Sequence, residues 1–271
     1  MKRILILDEY SPNQKCILNG ASRSGVECLA LQHGGMHDLH PGYVYGVEDK
    51  ELNIFPDHFL TWGSGFTDFL LKSNWPKDVS EVGHLRTDII PQLTRKSGSK
   101  MKKIMFASQP HKDENYTENT AKLVFRAFAT FDKKVQVYMR PHPLERDIGK
   151  YRKWAEEVGY TNLDMDTDSD LYVALCDTDI VITAFSTVGQ EAIYFNIPLI
   201  TVDYLNRDIA HYVQEGVAQN AATTEELLMI LKNKLEASNI ETKSNEEYIK
   251  KHAHKIDGRV SERILKKLLS E

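Results

Sequence analysis

Asp8, Glu9 and His33 are the side chains in the first third of the chain best able to take a proton from a hydroxyl nucleophile. Asp8-Glu9 follows the apolar run Ile4-Leu5-Ile6-Leu7, and His33-Gly34-Gly35 follows Val26–Leu31. Both groups therefore fall at strand ends, where the glycines allow a close backbone approach. A carboxylate in that position also suits a cap on the following helix, so the spacing leaves both roles open for Asp8 and Glu9.

Three junctions in the second half carry the complementary chemistry. Ser108-Gln109-Pro110 follows Lys103–Phe106, Arg140-Pro141-His142-Pro143 follows Val135–Met139, and Ser186-Thr187 follows Ile180–Thr183. Two prolines fix the backbone on either side of His142, leaving the imidazole little freedom to lose on binding. That imidazole can donate to a phosphate or a sugar hydroxyl. Ser186 and Thr187 open a helix, where hydroxyls and free backbone amides suit an anion. The same placement is also that of an ordinary N-cap. Glu191 lies five residues past Ser186, about one and a half turns into that helix. There it suits ribose hydroxyls, or simply the helix dipole. No Gly-rich dinucleotide fingerprint accompanies these motifs.

Short apolar runs alternating with helical periodicity position these groups, which predicts an α/β fold with parallel sheets. The expected strands are Arg3–Leu7, Val26–Leu31, Phe59–Trp62, Val79–Gly83, Lys103–Phe106, Val135–Met139, Ile180–Thr183 and Leu199–Val202. The expected helices are Asn13–Ser24, Gly65–Leu71, Thr117–Phe131, Asp147–Val158, Leu171–Cys176, Val188–Phe195 and Glu225–Leu235. Residues 33–56 read as a long loop and Asp164–Asp170 as a solvated acidic loop. Gln92–Lys102 reads as a linker, with a bend at Asp257-Gly258. The organisation expected is an acceptor-side Rossmann-like lobe over residues 1–95, shortened, and a nucleotide-donor lobe over 100–245. Helices over 246–271 are expected to bridge the two.

Composition narrows the function. A formal net charge of -5 argues against nucleic acid as a partner. No stretch has the roughly 18 apolar residues of a membrane helix, and the N-terminal apolar run is too brief for a signal peptide. A cytoplasmic protein is expected, with a peripheral position at the inner membrane surface compatible. Cys16, Cys28 and Cys176 have no metal-ligand spacing, and His37, Asp38 and His40 lack an evident fourth ligand. Neither a metal nor another cofactor is expected. A phosphate seat, a fixed imidazole and a ribose-side carboxylate point to a nucleotide-dependent enzyme that transfers a sugar.

The set Gln32-His33-Gly34, Ser108-Gln109-Pro110, Arg140-Pro141-His142-Pro143, Ser186–Ala192 and Asp257-Gly258-Arg259 resembles GT-B-fold glycosyltransferases that build bacterial capsule and lipopolysaccharide. Their relatives include CDP-glycerol glycerophosphotransferases and polysialyltransferases. The resemblance implies two Rossmann-like lobes of GT-B type, with His142 on the nucleotide and Ser186 and Thr187 on its phosphate. Ser108, Gln109, Arg140 and Glu191 complete the nucleotide and phosphate set. A CMP- or CDP-linked sugar donor is favoured over a UDP-linked one, and the acceptor would be a glycan or lipid-linked glycan. Asp8, Glu9 and His33 are the expected catalytic groups. Two alternatives stand beside this. One is a UDP-N-acetylglucosamine 2-epimerase-like enzyme, suggested by His111-Lys112-Asp113-Glu114-Asn115 and Gln190-Glu191-Ala192. The other is a non-catalytic nucleotide-sugar-binding lobe of a larger assembly.

Overall fold

The structure, a computed structural model, describes residues 3–36, 40, 42–46, 48, 51, 53–95, 101–132, 134–236 and 242–269. The chain divides into two compact units, Met1–Gln92 with Glu247–Glu271, and Leu93–Glu246. Each contains its own parallel sheet.

The first sheet runs in sequential order, β1 (Arg3–Ile6), β2 (Glu27–Leu31), β3 (His58–Thr61) and β4 (Asp78–Glu81). Every pairing is parallel, with Leu31 opposite Leu60 and Thr61 opposite Glu81. Strand β2 buries both faces, as a covered parallel strand must. Cys28 and Ala30 pack with Ile6, Leu18, Phe59 and Leu70, whereas Leu29 and Leu31 pack with Val82, Val260 and Ile264. Helices α1 (Pro12–Arg23) and α2 (Ser64–Lys72) supply Leu18 and Leu70. The C-terminal helix of the chain, Val260–Leu269, supplies Val260 and Ile264.

A 3-10 helix over Leu85–Gln92, which the sequence pattern did not signal, sets the start of that C-terminal helix. Asp88 accepts the backbone N–H of Val260 at 2.6 Å and of Ser261 at 2.7 Å, and the Ser261 hydroxyl at 2.6 Å. Gly258 has φ +69°, the left-handed conformation expected of the Asp257-Gly258 bend.

The second sheet is the larger, with six parallel strands. In chain order these are β5 (Lys102–Ala107), β6 (Val135–Arg140), β7 (Asp164–Met165), β8 (Ile180–Thr183), β9 (Leu199–Val202) and β10 (Ala218–Ala221). In space they run β10-β9-β8-β5-β6-β7. The order reverses between β5 and β8, and open α/β sheets bind ligands in the crevice beyond such a reversal. Ile104, Phe106, Met139, Ile180, Ile182, Ile200 and Val202 form the core beneath. Against it pack α3 (Glu114–Thr130), α4 (Gly149–Glu157) and α7 (Thr224–Glu236). Helices α5 (Leu171–Cys176) and α6 (Thr187–Tyr194) complete the unit; α8 (Thr242–Ala253) and α9 (Val260–Leu269) end the chain.

Three local readings need correction. Strands β7 and β10 were not anticipated, because two residues and the polar run Ala-Gln-Asn-Ala carry no strand pattern of their own. Helix α3 starts at Glu114 rather than Thr117, because Asp113 caps it by accepting the Asn115 N–H at 3.0 Å. The acidic stretch is not merely solvated. Asp164 and Met165 pair with β6, and Asp166 takes an arginine. Within the expected linker, Arg95 is anchored on the carbonyls of Thr178 and Phe195 at 2.8 and 3.4 Å. Residues 96–100 lie outside the described residues.

Candidate functional site at the strand ends

In the second unit, the three motif-bearing strands end level. Ala107 stands opposite Arg140 on one side and Thr183 on the other. The loops that follow are tied at their roots. Ser108 donates its N–H to the Arg140 carbonyl at 3.0 Å, and the Thr183 hydroxyl donates to the Ala107 carbonyl at 2.9 Å.

His142 sits in the turn after β6. Its backbone N–H donates to the Ser108 hydroxyl at 3.0 Å and to Glu145 Oε2 at 3.2 Å. Its Nδ1 accepts the Leu144 N–H at 3.2 Å, so the neutral ring carries its proton on Nε2 and acts there as a donor. The same device recurs at His111, whose Nδ1 accepts the Asp113 N–H at 3.0 Å.

Glu145 was missed by sequence reasoning. Its side chain is only 3% exposed and gathers four groups: the Ser108 hydroxyl at 2.5 Å, the His142 N–H, the Tyr151 hydroxyl and, at 3.5 Å, Lys150 Nζ. A buried carboxylate requires such partners. The charge after a His-Pro turn is visible in the sequence, but its burial is not.

Ser186 caps α6. Its hydroxyl accepts the Val188 N–H at 3.3 Å, and the Gly189 N–H bonds the Ser186 carbonyl at 2.9 Å. Tyr212 completes the turn, its hydroxyl donating to the Ser186 carbonyl at 2.9 Å and accepting the Gln190 N–H at 3.0 Å. Of the first free amides of this helix, that of Thr187 has no acceptor among the described residues, and Thr187 is exposed. Ser186 is buried and Glu191 is 8% exposed in the second turn. Gly189 serves packing, since a Cβ there would come within 2.8 Å of the Tyr212 ring.

Both terminal nitrogens of Arg140 are engaged. Nη1 meets Asp166 Oδ2 at 2.8 Å and the Ser169 hydroxyl at 3.1 Å, and Nη2 meets the Ser169 carbonyl at 2.7 Å. Ser108 likewise gives its hydroxyl to Glu145. Both residues hold the frame of the site. Gln109 lines a small cavity with Phe106, Ser108, Tyr116, Thr120 and Tyr151 beneath the same strand end.

In the first unit, Asp8, Glu9 and His33 come together beyond β1 and β2. Asp8 adopts φ +57° and donates its N–H to His33 Nδ1 at 3.2 Å, while His33 Nε2 meets the Tyr10 hydroxyl at 3.3 Å. Glu9 Oε2 lies 3.9 Å from His33 Nδ1, and Asp8 Oδ1 lies 3.9 Å from Nε2. Glu9 is 1% exposed, and among the described residues neither of its oxygens has a partner in hydrogen-bond geometry. Burial pushes its carboxyl up to about 7, against the weaker opposing pulls of its own backbone amide, which lies outside hydrogen-bond geometry, and of Lys15.

Among the described residues, no group of three or more His, Cys, Asp or Glu side chains is placed to hold a metal ion. His37 and Asp38 lie outside the described residues. No helix among those described is long and apolar enough to cross a membrane.

Two Rossmann-like α/β units, one with its strand order reversed at a polar crevice, define the GT-B class of fold. The CDP-glycerol:poly(glycerophosphate) glycerophosphotransferase family matches residues 57–270, and the chain belongs to that family. Solved structures agree on the fold. The wall teichoic acid polymerase TagF superposes with a TM-score of 0.59 at 14% identity, covering 89% of this chain and 67% of that one. MnaA of S. aureus, solved with UDP, gives a TM-score of 0.63 at 14% identity, over 100% of this chain and 77% of its own. A UDP-N-acetylglucosamine 2-epimerase from Neisseria meningitidis, solved with UDP-GlcNAc, gives 0.60 at 14% identity, over 100% and 76%. No curated protein sequence matches significantly.

Proposed function

We propose that the chain is a glycosyltransferase of bacterial surface-polysaccharide synthesis, using a CMP- or CDP-linked donor and a glycan or lipid-linked glycan acceptor. The family match over residues 57–270, in a chain whose strand ends meet at a reversal of strand order, supports a transferase with a nucleotide-linked donor; the motifs that resemble the capsule and lipopolysaccharide transferases are what favour a sugar as the transferred group. The nucleotide occupies the second unit. His142 Nε2–H, the Thr187 amide and the Thr187 hydroxyl meet its phosphates, while Ser186 holds that helix end in shape. Glu191 takes the ribose, and Gln109 lines the same strand end. Arg140 and Ser108 act one step back, fixing the turn that carries His142.

The acceptor hydroxyl loses its proton to a base, for which His33 is the candidate. Its oxygen forms the new bond to the sugar carbon as that carbon's bond to the nucleotide phosphate breaks. His33 accepts that proton at Nε2 once its own proton has moved to Nδ1, a change that gives up the bond Nδ1 accepts from the Asp8 N–H. Glu9, 3.9 Å from Nδ1, is the carboxylate that stabilises this form and the resulting imidazolium. Asp8, beside Nε2, adds to the same field. Donors on the second unit neutralise the leaving phosphate, and no metal is required for that role.

The family description favours a second reading, in which the transferred group is glycerol phosphate. The two differ in the bond broken, at the sugar carbon or at phosphorus, and so in the donor consumed: CDP-glycerol cleaved at phosphorus releases CMP, as a CMP-sugar cleaved at carbon also does, whereas a CDP-sugar releases CDP. Incubation with CDP-glycerol, CMP-sugars and UDP-sugars, each with a surface-polymer acceptor, separates them. Release of nucleotide only from CDP-glycerol selects the second reading. Conversion of UDP-N-acetylglucosamine to its 2-epimer without an acceptor would replace both by the epimerase alternative.

A further inference from the structure

Beyond β9, Asp203 is 3% exposed and organises a short loop. Its carboxylate accepts the Leu205 N–H at 3.1 Å, the Arg207 N–H at 2.8 Å and the Tyr116 hydroxyl at 3.0 Å. Tyr116 lies in the first turn of α3, the helix after β5. Its ring is 6.2 Å from that of Phe185, the residue before Ser186. Tyr116 therefore stands between the loops after β5 and β8, the two strands that flank the reversal of strand order. Burial pushes its hydroxyl up to about 12, so it stays a donor to Asp203 at neutral pH.

Arg207 covers this ring, with Cζ 4.3 Å from the Tyr116 centroid. A guanidinium stacked on an aromatic face is pre-organised and loses little entropy on meeting an anion. Its nearest carboxylate contact, Nε to Asp203 Oδ2, is 3.7 Å, longer than a hydrogen bond. Arg140, the other guanidinium at these strand ends, is bonded directly to Asp166 and Ser169, whereas Lys150 lies 3.7 Å from Glu114 and 3.5 Å from Glu145. The loop is also fastened to the proposed phosphate seat, because Tyr212 bridges the Ser186 carbonyl and the Gln190 amide.

We propose that Arg207, stacked on Tyr116 and held by Asp203, is the residue that reads the second phosphate of the bound nucleotide and so separates diphosphates from monophosphates. This rests on the nucleotide site proposed for the second unit. A charge-assisted, bidentate contact to phosphate is what the planar guanidinium is shaped to make.

Calorimetric titration of the full chain with CMP, CDP, UMP and UDP tests it. Wild type should bind the diphosphate of the preferred base about 10-fold or more tightly than its monophosphate, the scale of one charge-assisted contact. Arg207→Ala should reduce that ratio to about 1 while leaving monophosphate affinity unchanged, and Arg207→Lys should restore part of it. Equal loss for both forms, an unchanged ratio, or a wild type with no preference overturns the role of Arg207 and leaves the nucleotide site standing. A folded wild type that binds none of the four overturns the nucleotide site itself, and this inference with it.

Discussion

Glu145 accepts the Ser108 hydroxyl at 2.5 Å, and through it the loop after β5 is joined to the turn that carries His142. Neither loop has enough local structure to fix the other; the shared carboxylate does so. Glu145→Ala should cost about 1–3 kcal/mol, because the Ser108 hydroxyl and the His142 amide lose a buried acceptor. Glu145→Gln keeps the shape and one acceptor oxygen and should lose less. Urea denaturation of both variants checks the order, and equal losses would contradict it.

His142 should matter to binding. With Nδ1 tied to the Leu144 amide, the ring offers Nε2–H to a ligand. His142→Ala should weaken nucleotide affinity by about 10-fold, the worth of one good hydrogen bond to a charged group. Thr187→Ala should weaken it less, since the backbone amide survives. Fluorescence or calorimetric titration reads both. An unaltered affinity in His142→Ala would remove the imidazole from the site.

Glu9 gives a pH dependence of fixed sign. Its folded pKa, about 7, stands above the ordinary 4.5, so the folded state holds the proton more tightly than the unfolded chain. Stability therefore carries no penalty below pH 4.5, falls as pH rises from there through 7, and is lowest above it. The total is about 3 kcal/mol. Glu9→Gln should match wild type at pH 4 and exceed it at pH 8, in unfolding measured at both. Parallel pH profiles would show that the carboxyl is not perturbed. The same variant should lose turnover if Glu9 supports His33, so stability and activity would move in opposite directions.

Gly189→Ala should destabilise the chain by about 1–3 kcal/mol by overpacking. The added Cβ would meet the Tyr212 ring at 2.8 Å and Leu199 Cδ2 at 3.1 Å. Pairing it with Tyr212→Phe tests whether the ring or its hydroxyl dominates. Phe keeps the clash but loses the bridge between Ser186 and Gln190, so the double variant should be worse than either single one. A thermal melt of Gly189→Ala equal to wild type would show that Tyr212 gives way freely.

The sequence by itself determined the α/β class, most of the strands and helices, and the three motif-bearing junctions. Apolar runs such as Ile180–Thr183 cannot be satisfied except as covered parallel strands, and proline and serine mark where they stop. It also determined that Asp8, Glu9 and His33 follow neighbouring strands. Only tertiary structure decided which of these polar groups are tied to neighbouring side chains. Arg140 and Ser108 look in sequence like ligand contacts, yet Asp166, Ser169 and Glu145 engage them. Those partners lie 26 to 37 residues away along the chain. Burial was equally invisible, because Asp8 and Glu9 are adjacent and alike in sequence, yet only Glu9 is enclosed, and that enclosure pushes its carboxyl up. Strand order was the last unknown. Local periodicity specifies that a strand forms; its neighbours are set by long-range packing, and the β5–β8 reversal that places Ser186 and Tyr116 in one crevice exists only once the sheet is assembled.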